Sequence, residues 1–437
     1  MRVFIKSFGC SANLADGEVL AGCLARAGHE LVDHISSADI VIYNTCAVKA
    51  PTESRMIETL KRIPNSKKLV VAGCLPSVNL GRLLREVRFD GVTGPAAGEK
   101  IVDIVNRVSR GERISAIEPA ANHLPDINLP RVRASSIVSI LPISYGCLGS
   151  CAYCCVVLAR GRLQSYSVRD IVRKLKADVS LGFREFWLTS QDVACYGRDK
   201  GTSLAGLLKA LCEVKGDFKV RVGMMTPNMV LDMLEDLPKV FEDEHIFKFL
   251  HLPVQSGDNQ VLKSMRRFYT VGDFRRVVDA FRRRFPELTL ATDVICGFPG
   301  EDDVAFERTL QLMKQTKPDI VNVSKFFARP NTPAAEMKDS CVPSAEIKRR
   351  SARAARLAKS IALENNERWV GWKGSVMVDE KGKISGSWVG RNFAYKPVVI
   401  KTEEEMVGKT LSVSITKVFP TYLEGKLARQ VFYVNAK

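Results

Sequence analysis

No stretch of this chain carries the ~18 consecutive apolar residues that a membrane-spanning helix needs. The opening residues, Met1-Arg2-Val3-Phe4-Ile5-Lys6-Ser7, turn polar before a secretory leader's apolar core can form. Both absences lead us to expect a cytoplasmic protein with no membrane partner. Histidine is scarce: among five in the chain, the two nearest the densest cysteine cluster are His123 and His245, which works against a mixed cysteine and histidine zinc site there. Twelve cysteines in 437 residues are too sparse for a small disulfide scaffold and fit a reduced compartment. Acidic residues are also in deficit. Against 48 Asp and Glu stand 65 Lys and Arg, a net charge of +17 that suggests an anionic macromolecular partner such as nucleic acid, although a generally basic proteome would give the same excess. Low-complexity tracts are few and 46% of residues are hydrophobic, so the chain folds, and its length calls for two or three domains.

What is present is organised around Cys147-Leu148-Gly149-Ser150-Cys151-Ala152-Tyr153-Cys154. Three thiols spaced in this way can wrap one short loop around an iron–sulfur cluster, leaving a fourth iron open. Structural zinc is the competing reading, but it wants four closed ligands, usually as two pairs. Three more cysteines occupy turns near the N-terminus, in Gly9-Cys10-Ser11-Ala12-Asn13, Asn44-Thr45-Cys46-Ala47-Val48 and Gly73-Cys74-Leu75-Pro76. Each follows a short β-branched or aromatic run, at Val3–Ile5, Ile40–Tyr43 and Lys68–Ala72, and helical patterns at Ala15–Gly28 and Thr52–Ile63 lie between. Alternating strand and helix over residues 1–125 predicts a small parallel α/β domain whose strand ends bring Cys10, Cys46 and Cys74 to one edge. A single such cysteine reads best as a small buried hydrophobe, as Cys23 does inside its helix; three at equivalent places suggest a metal or cluster site. The Gly94-Pro95-Ala96-Ala97-Gly98 loop is a turn and not a dinucleotide fingerprint.

Residues 115–136, with Pro119, Pro125 and Pro130, read as a linker whose Arg131 and Arg133 are solvated surface charge. Residues 136–370 repeat strand and helix: strands at Ile137–Ile143, Glu185–Thr189, Lys219–Met224, Phe247–Pro253, Leu288–Cys296 and Ile320–Phe326, helices at Val168–Leu181, Ser203–Val214 and Phe274–Phe285, and a closing helix from an N-cap at Ser344. Several βα units in series predict a full or partial TIM-type barrel with its site at the C-terminal strand ends. Residues 371–437 hold five short strands, enough for a small OB-like barrel, with eleven Lys and Arg against six Asp and Glu. Trp388, Phe393, Tyr395 and Tyr422 are candidates for base stacking, and one or two of the four are expected to be exposed.

The central spacing, with an aromatic before its last cysteine, resembles the radical S-adenosylmethionine (SAM) signature. In that family SAM's methionine chelates the open iron, and an electron from the cluster cleaves SAM to a 5′-deoxyadenosyl radical. Ile143-Ser144-Tyr145-Gly146 before the loop and Ala159-Arg160-Gly161-Arg162-Leu163-Gln164-Ser165-Tyr166 after it resemble the archaeal and eukaryotic methylthiotransferase branch. The N-terminal turns are similar to that family's G-C-x-x-N, N-T-C and G-C elements. The resemblance implies an auxiliary [4Fe-4S] cluster on Cys10, Cys46 and Cys74 that carries the sulfur to be transferred. It also implies SAM contacts at three strand ends: Ser190, Gln191 and Asp192; Gln255 in His251-Leu252-Pro253-Val254-Gln255-Ser256-Gly257; and Asp293 and Gly297 in Thr292-Asp293-Val294-Ile295-Cys296-Gly297. Tyr153 would border the SAM adenine. Cys155 and Cys195 lack the spacing to replace a ligand.

The C-terminal barrel resembles a TRAM domain, an RNA-binding module. The three-domain order then implies a two-cluster enzyme, using two SAM per turnover, that installs a methylthio group on N6-threonylcarbamoyladenosine beside a tRNA anticodon. The C2–H of adenine is too weakly acidic for a side-chain base, so a cofactor-borne radical is needed. Expected partners are the anticodon stem–loop, a flavodoxin- or ferredoxin-type reductant and a sulfur donor. Rival readings are methylthiolation of a ribosomal-protein aspartate or of isopentenyladenosine, and an iron–sulfur RNA-binding protein without catalysis.

Overall fold

The computed structural model describes residues 1–48, 50–118 and 124–428. His123 and the expected last strand beyond residue 428 lie outside them.

The first unit runs β1 (Arg2–Ser7), α1 (Ser11–Arg26), β2 (Glu30–Leu31), β3 (Ile40–Thr45), α2 (Ala50–Lys61), β4 (Lys68–Gly73), α3 (Cys74–Glu86), β5 (Gly91–Thr93), α4 (Lys100–Ser109) and β6 (Ile114–Ala116). Its strands form one parallel sheet in the order β2-β1-β3-β4-β5-β6. Helices cover both faces of such a sheet, so its central strand β3 is buried along its whole length. The order reverses between β1 and β3, opening a crevice beyond their C-terminal ends where Cys10 and Cys46 sit.

Two expectations about the linker are corrected. Ser115 belongs to β6 and pairs with Val92. The following chain, moreover, is pressed against α1: a Cβ at Gly22 would lie 2.1 Å from the Pro130 carbonyl oxygen. Arg131 and Arg133 are therefore not solvated surface charge. Arg131 donates to the Ile140 carbonyl at 2.8 Å, and Arg133 pairs with Asp178 at 2.6 Å and Glu18 at 3.5 Å. Packing between α1 and the central unit desolvates these guanidinium groups, and the carboxylates and carbonyl replace the lost water.

The central unit follows as β7 (Val138–Pro142), β8 (Ser144–Tyr145), α5 (Val156–Arg160), β9 (Gln164–Ser165), α6 (Val168–Ser180), β10 (Glu185–Thr189), α7 (Leu204–Cys212), β11 (Lys219–Val222), α8 (Pro227–Leu231), α9 (Leu237–Val240), β12 (Phe249–His251), α10 (Asn259–Ser264), α11 (Val271–Arg284), β13 (Thr289–Cys296), α12 (Asp303–Thr316) and β14 (Ile320–Lys325). Two parallel sheets, β11-β10-β7 and β12-β13-β14, join through a single bridge between Val220 and Ile246. The result is a partial barrel, open between β7 and β14. Its helices follow their sequence signals: a capping box between Thr270 and Asp273 starts α11, whose Phe274, Val277, Val278 and Phe281 are buried. Helix α13 (Ser344–Glu367) closes the unit. Ser344 is its first helical residue and not its cap, because Pro343, with φ fixed near −56°, takes the N-cap position.

Strands β15 (Lys373–Lys381), β16 (Ser387–Arg391), β17 (Pro397–Lys401), β18 (Thr410–Val418) and β19 (Leu423–Leu427) form a closed barrel in the order β15-β16-β17-β19-β18. None of its four candidate stacking aromatics is exposed. Trp388 is 4% accessible and donates its indole N–H to the Thr402 carbonyl. Phe393 packs on Trp369 and Trp372, Tyr395 on Phe247 and Phe249, and Tyr422 stacks on Phe419. The small barrel seats on the base of the partial barrel; that contact absorbs Tyr395, and the small barrel's own packing covers the other three.

Candidate functional site

The central cysteine loop leaves β8 and returns into α5. Gly146 begins it with φ +73°, and a Cβ there would stand 2.1 Å from the Arg162 carbonyl oxygen, so only glycine lets β8 lie this close to the returning strand. The loop is clamped on its other side, where Ala152 donates to the Met265 carbonyl at 2.9 Å and accepts from Ala334 N at 2.8 Å. Two donors address its sulfurs: Gly149 N to Cys147 Sγ at 3.2 Å, and Arg267 Nη1 to Cys151 Sγ at 3.3 Å. Cys195, set apart by its spacing, folds back against Cys147. A hydrogen bond from its thiol holds the Cys147 thiol below its usual range, and Asp192 Oδ2, 3.3 Å from the Cys195 sulfur, is the alternative acceptor for that one proton. Donors aimed at sulfur suit thiolates better than thiols.

The N-terminal cysteines also come together. Cys10 is the N-cap of α1, Cys46 follows β3 and Cys74 opens α3. A Cβ at Gly9 would lie 2.7 Å from the Cys46 Cβ, so that turn requires glycine for close approach. Cys46 and Cys74 are buried while Cys10 is exposed, and burial pushes the Cys74 thiol up to about 11. Arg160 offsets this. It is buried, donates to Asp16 at 2.6 Å and Asn13 at 3.3 Å, and bears electrostatically on Cys74 and Cys10, while its Nη1 has no hydrogen-bond partner. A desolvated, unpartnered guanidinium nitrogen beside two cysteines fits a thiolate-held cluster. Among the described residues no three His, Cys, Asp and Glu side chains are placed to hold a single metal ion. A cubic cluster makes a different demand, since each thiolate binds its own iron.

The two triplets belong to one interface. Ser11, next to Cys10, hydrogen-bonds Thr189 across 2.6 Å, and Tyr145 donates to Asp16 at 2.8 Å. The Cys155 thiol reaches the carbonyl of Ala47, beside Cys46, at 3.5 Å. Arg329 of the central unit pairs with buried Glu53 of α2.

A cavity of about 660 Å³ opens at this interface, lined by Tyr153 and Cys154 from the loop, Gln255 and Asp293 from the barrel, and Arg55 and Val48 from the N-terminal unit. Gln255 holds φ +68°, an uncommon conformation that costs about 1–3 kcal/mol in a non-glycine residue and clusters at functional sites. Asp293 accepts from Asn322 at 2.7 Å and pairs with His251 at 3.2 Å. Ser190 Oγ and Gln191 Oε1 are buried without a protein partner. Asp192 Oδ1, by contrast, accepts from Ala194 N and Thr226 N. Gly297 does not line this cavity. Its φ is +80°, and a Cβ added there would lie 2.3 Å from Ile347 of α13. The sequence alone assigned no role to Arg160, Arg267 or Arg329; Arg160 lay inside a quoted motif, and the other two carried no local signal.

The site and fold define a radical SAM enzyme: the description "Radical SAM superfamily" fits residues 141–313, "Uncharacterized protein family UPF0004" fits 2–94 and "TRAM domain" fits 368–428. The radical SAM methyltransferase TsrM from Kitasatospora setae, solved with cobalamin and a [4Fe-4S] cluster, shares the fold at a TM-score of 0.56 and 13% identity, over 76% of this chain and 73% of that one. The "Probable threonylcarbamoyladenosine tRNA methylthiotransferase" of Pyrococcus horikoshii is 40% identical over 98% of this chain and 99% of its own length. The Homo sapiens threonylcarbamoyladenosine tRNA methylthiotransferase is 34% identical over 97% and 74% respectively. The chain belongs to the threonylcarbamoyladenosine tRNA methylthiotransferase family. No helix among the described residues is long and apolar enough to cross a membrane.

Proposed function

We propose that this chain converts N6-threonylcarbamoyladenosine in tRNA, beside the anticodon, to its 2-methylthio form. In this reading Cys147, Cys151 and Cys154 hold the [4Fe-4S] cluster that binds SAM, and Cys10, Cys46 and Cys74 hold a second one. When bound, these groups supply the reducing electron, the radical and the sulfur. The observation that carries the reading is the meeting of both cysteine triplets at one interface, beside a cavity large enough for a cofactor and a base.

The protein's own groups then bind, orient and exclude water. Ser190 Oγ and Gln191 Oε1, free acceptors, suit the ammonium of SAM. Tyr153 and Gln255 border the nucleoside, with Asp293 presented by Asn322 and His251. Asp192 acts by holding the turn that presents Ser190 and Gln191, and Gly297 by letting α13 close on β13. Arg160 and Arg267 screen thiolate charge. The target base must leave its stack, which a single-stranded loop makes cheap.

Residues 1–125, 136–370 and 371–437 serve in turn as sulfur-carrying, radical-generating and RNA-binding domains. The work takes place in the cytoplasm, with a flavodoxin- or ferredoxin-type reductant and a separate sulfur donor. Mass spectrometry of nucleosides from bulk tRNA, with and without the gene, tests the reading. Loss of 2-methylthio-N6-threonylcarbamoyladenosine with accumulation of its precursor is expected. An unchanged profile would overturn the substrate assignment and turn attention to a ribosomal-protein aspartate.

A further inference from the structure

The cavity between the N-terminal unit and the partial barrel holds more positive charge than the protein itself neutralises. Of its charged lining, Arg329 is neutralised by Glu53, and Asp293, held in place by Asn322 and His251, sets one carboxylate against the two remaining cations. Arg55 of α2 and Lys325 at the end of β14 line the same cavity and are exposed. Among the described residues they make no ion pair and no side-chain hydrogen bond. They stand at its mouth with Val48, 51% accessible, and Phe327, 40% accessible. Tyr153, Cys154 and Gln255 lie deeper. An apolar rim with two unspent cations is a poor place for an uncharged alkyl substituent alone and a good one for an anion tethered to a base, because a carboxylate entering a partly dry cleft needs a charged donor.

We infer that Arg55 and Lys325 form a carboxylate-recognition subsite for the N6 substituent of the target adenosine, with Phe327 flanking the base. This rests on the proposed substrate, whose threonyl arm ends in a carboxylate. The position of the pair, on two different domains, makes correct docking of those domains a condition for reading that group. Substrate selection among adenosines bearing different N6 groups then lies in this subsite, away from the cysteines. The cofactor's carboxylate and an RNA phosphate have the same chemistry, so the test separates all three.

Equilibrium binding to the reconstituted holoenzyme is measured for two anticodon stem–loop RNAs, one with the natural free acid and one with its methyl ester, and for SAM. Charge-assisted hydrogen bonds predict that the wild type prefers the acid by roughly tenfold to a hundredfold. The Arg55→Met/Lys325→Met variant, checked for wild-type iron content, should lose that preference while keeping its affinity for the ester and for SAM. Lys325→Arg with Arg55 intact should retain it. Equal weakening toward both RNAs would assign the cations to phosphate, and weakened SAM binding would assign them to the cofactor; either result overturns the subsite, as does a wild type indifferent to esterification. The same holoenzyme is also assayed for product by mass spectrometry. Methylthiolation of the acid RNA without discrimination defeats the subsite alone, whereas no methylthiolation of it defeats the substrate reading itself.

Discussion

At the scale of single residues, Arg160 is the buried cation that favours the Cys74 thiolate. Burial raises the Cys74 thiol to about 11, metal binding requires the thiolate, and Arg160 is the buried cation beside it, with a nitrogen left unpartnered. Arg160→Met should therefore lower reconstituted iron by about half, emptying the N-terminal triplet while the central one loads. It also strands Asp16, a buried charge whose partner's removal costs about 3–5 kcal/mol. The Asp16→Asn/Arg160→Met double variant separates the two effects: its thermal stability should return toward wild type and its iron should not. The ligand assignments are tested by Cys151→Ala, expected to reduce SAM cleavage below detection, and Cys46→Ala, expected to leave cleavage intact and abolish sulfur insertion, with both products followed by mass spectrometry. Retained methylthiolation in either variant would refute that assignment. Spacing made the six cysteines legible as two triplets because each triplet is defined by a short loop or by equivalent strand ends. Arg160 was not legible, since its partners Asp16 and Cys74 lie far away in sequence and only docking of α5 against the N-terminal sheet brings them near.

At the scale of elements, the central loop depends on the β8–β9 ribbon, and the ribbon on Gly146. In Gly146→Ala the added Cβ meets a backbone carbonyl, which cannot swing aside as a side chain would, in a φ range that itself costs an alanine about 1–2 kcal/mol. The loop should shift, with destabilisation of about 2–4 kcal/mol and slower SAM cleavage at saturating SAM; urea unfolding and a cleavage time course check both. Near-wild-type cleavage would show that the loop tolerates the displacement. Strand and helix positions could be read closely from period and punctuation: Glu185–Thr189 falls where expected, and the strand expected at Ile320–Phe326 runs Ile320–Lys325. Period reports which face of an element is apolar, however, and not what that face will meet. That is why Arg131 and Arg133 were misplaced on the surface, and why one or two of the four barrel aromatics were expected there, when other side chains cover them all.

At the scale of the whole molecule, the C-terminal barrel meets the partial barrel at a buried acidic pair, where Tyr395 hydrogen-bonds Glu185. Glu185 of β10 is fully buried; its Oε1 accepts from Trp187 Nε1 at 2.5 Å and Tyr395 OH at 3.0 Å, and its Oε2 has no partner. Facing it from β15 is Asp379, whose Oδ1 is also unpartnered and whose Oδ2 accepts from Arg391 of β16 at 2.8 Å. One guanidinium cannot neutralise two carboxylates, so burial first, and then the Asp379 charge, push the Glu185 carboxyl up to about 7. Because its folded value lies above its unfolded one, the folded state binds more protons between them. Stability is therefore greatest below the ordinary carboxylate range, falls as pH rises toward about 7 and levels off above it. The ceiling on this effect is about 3 kcal/mol at roughly 1.4 kcal/mol per pH unit. Glu185→Gln keeps the shape and removes the titration. Unfolding free energies of wild type and variant, compared at pH 5, 6, 7 and 8, should converge or favour the wild type at the acid end and favour the variant increasingly toward neutrality. The extra stability of the variant should appear in the transition that releases the C-terminal barrel to protease. A constant difference across that range would mean that Glu185 stays ionised in the fold, with Arg391 shared between both carboxylates.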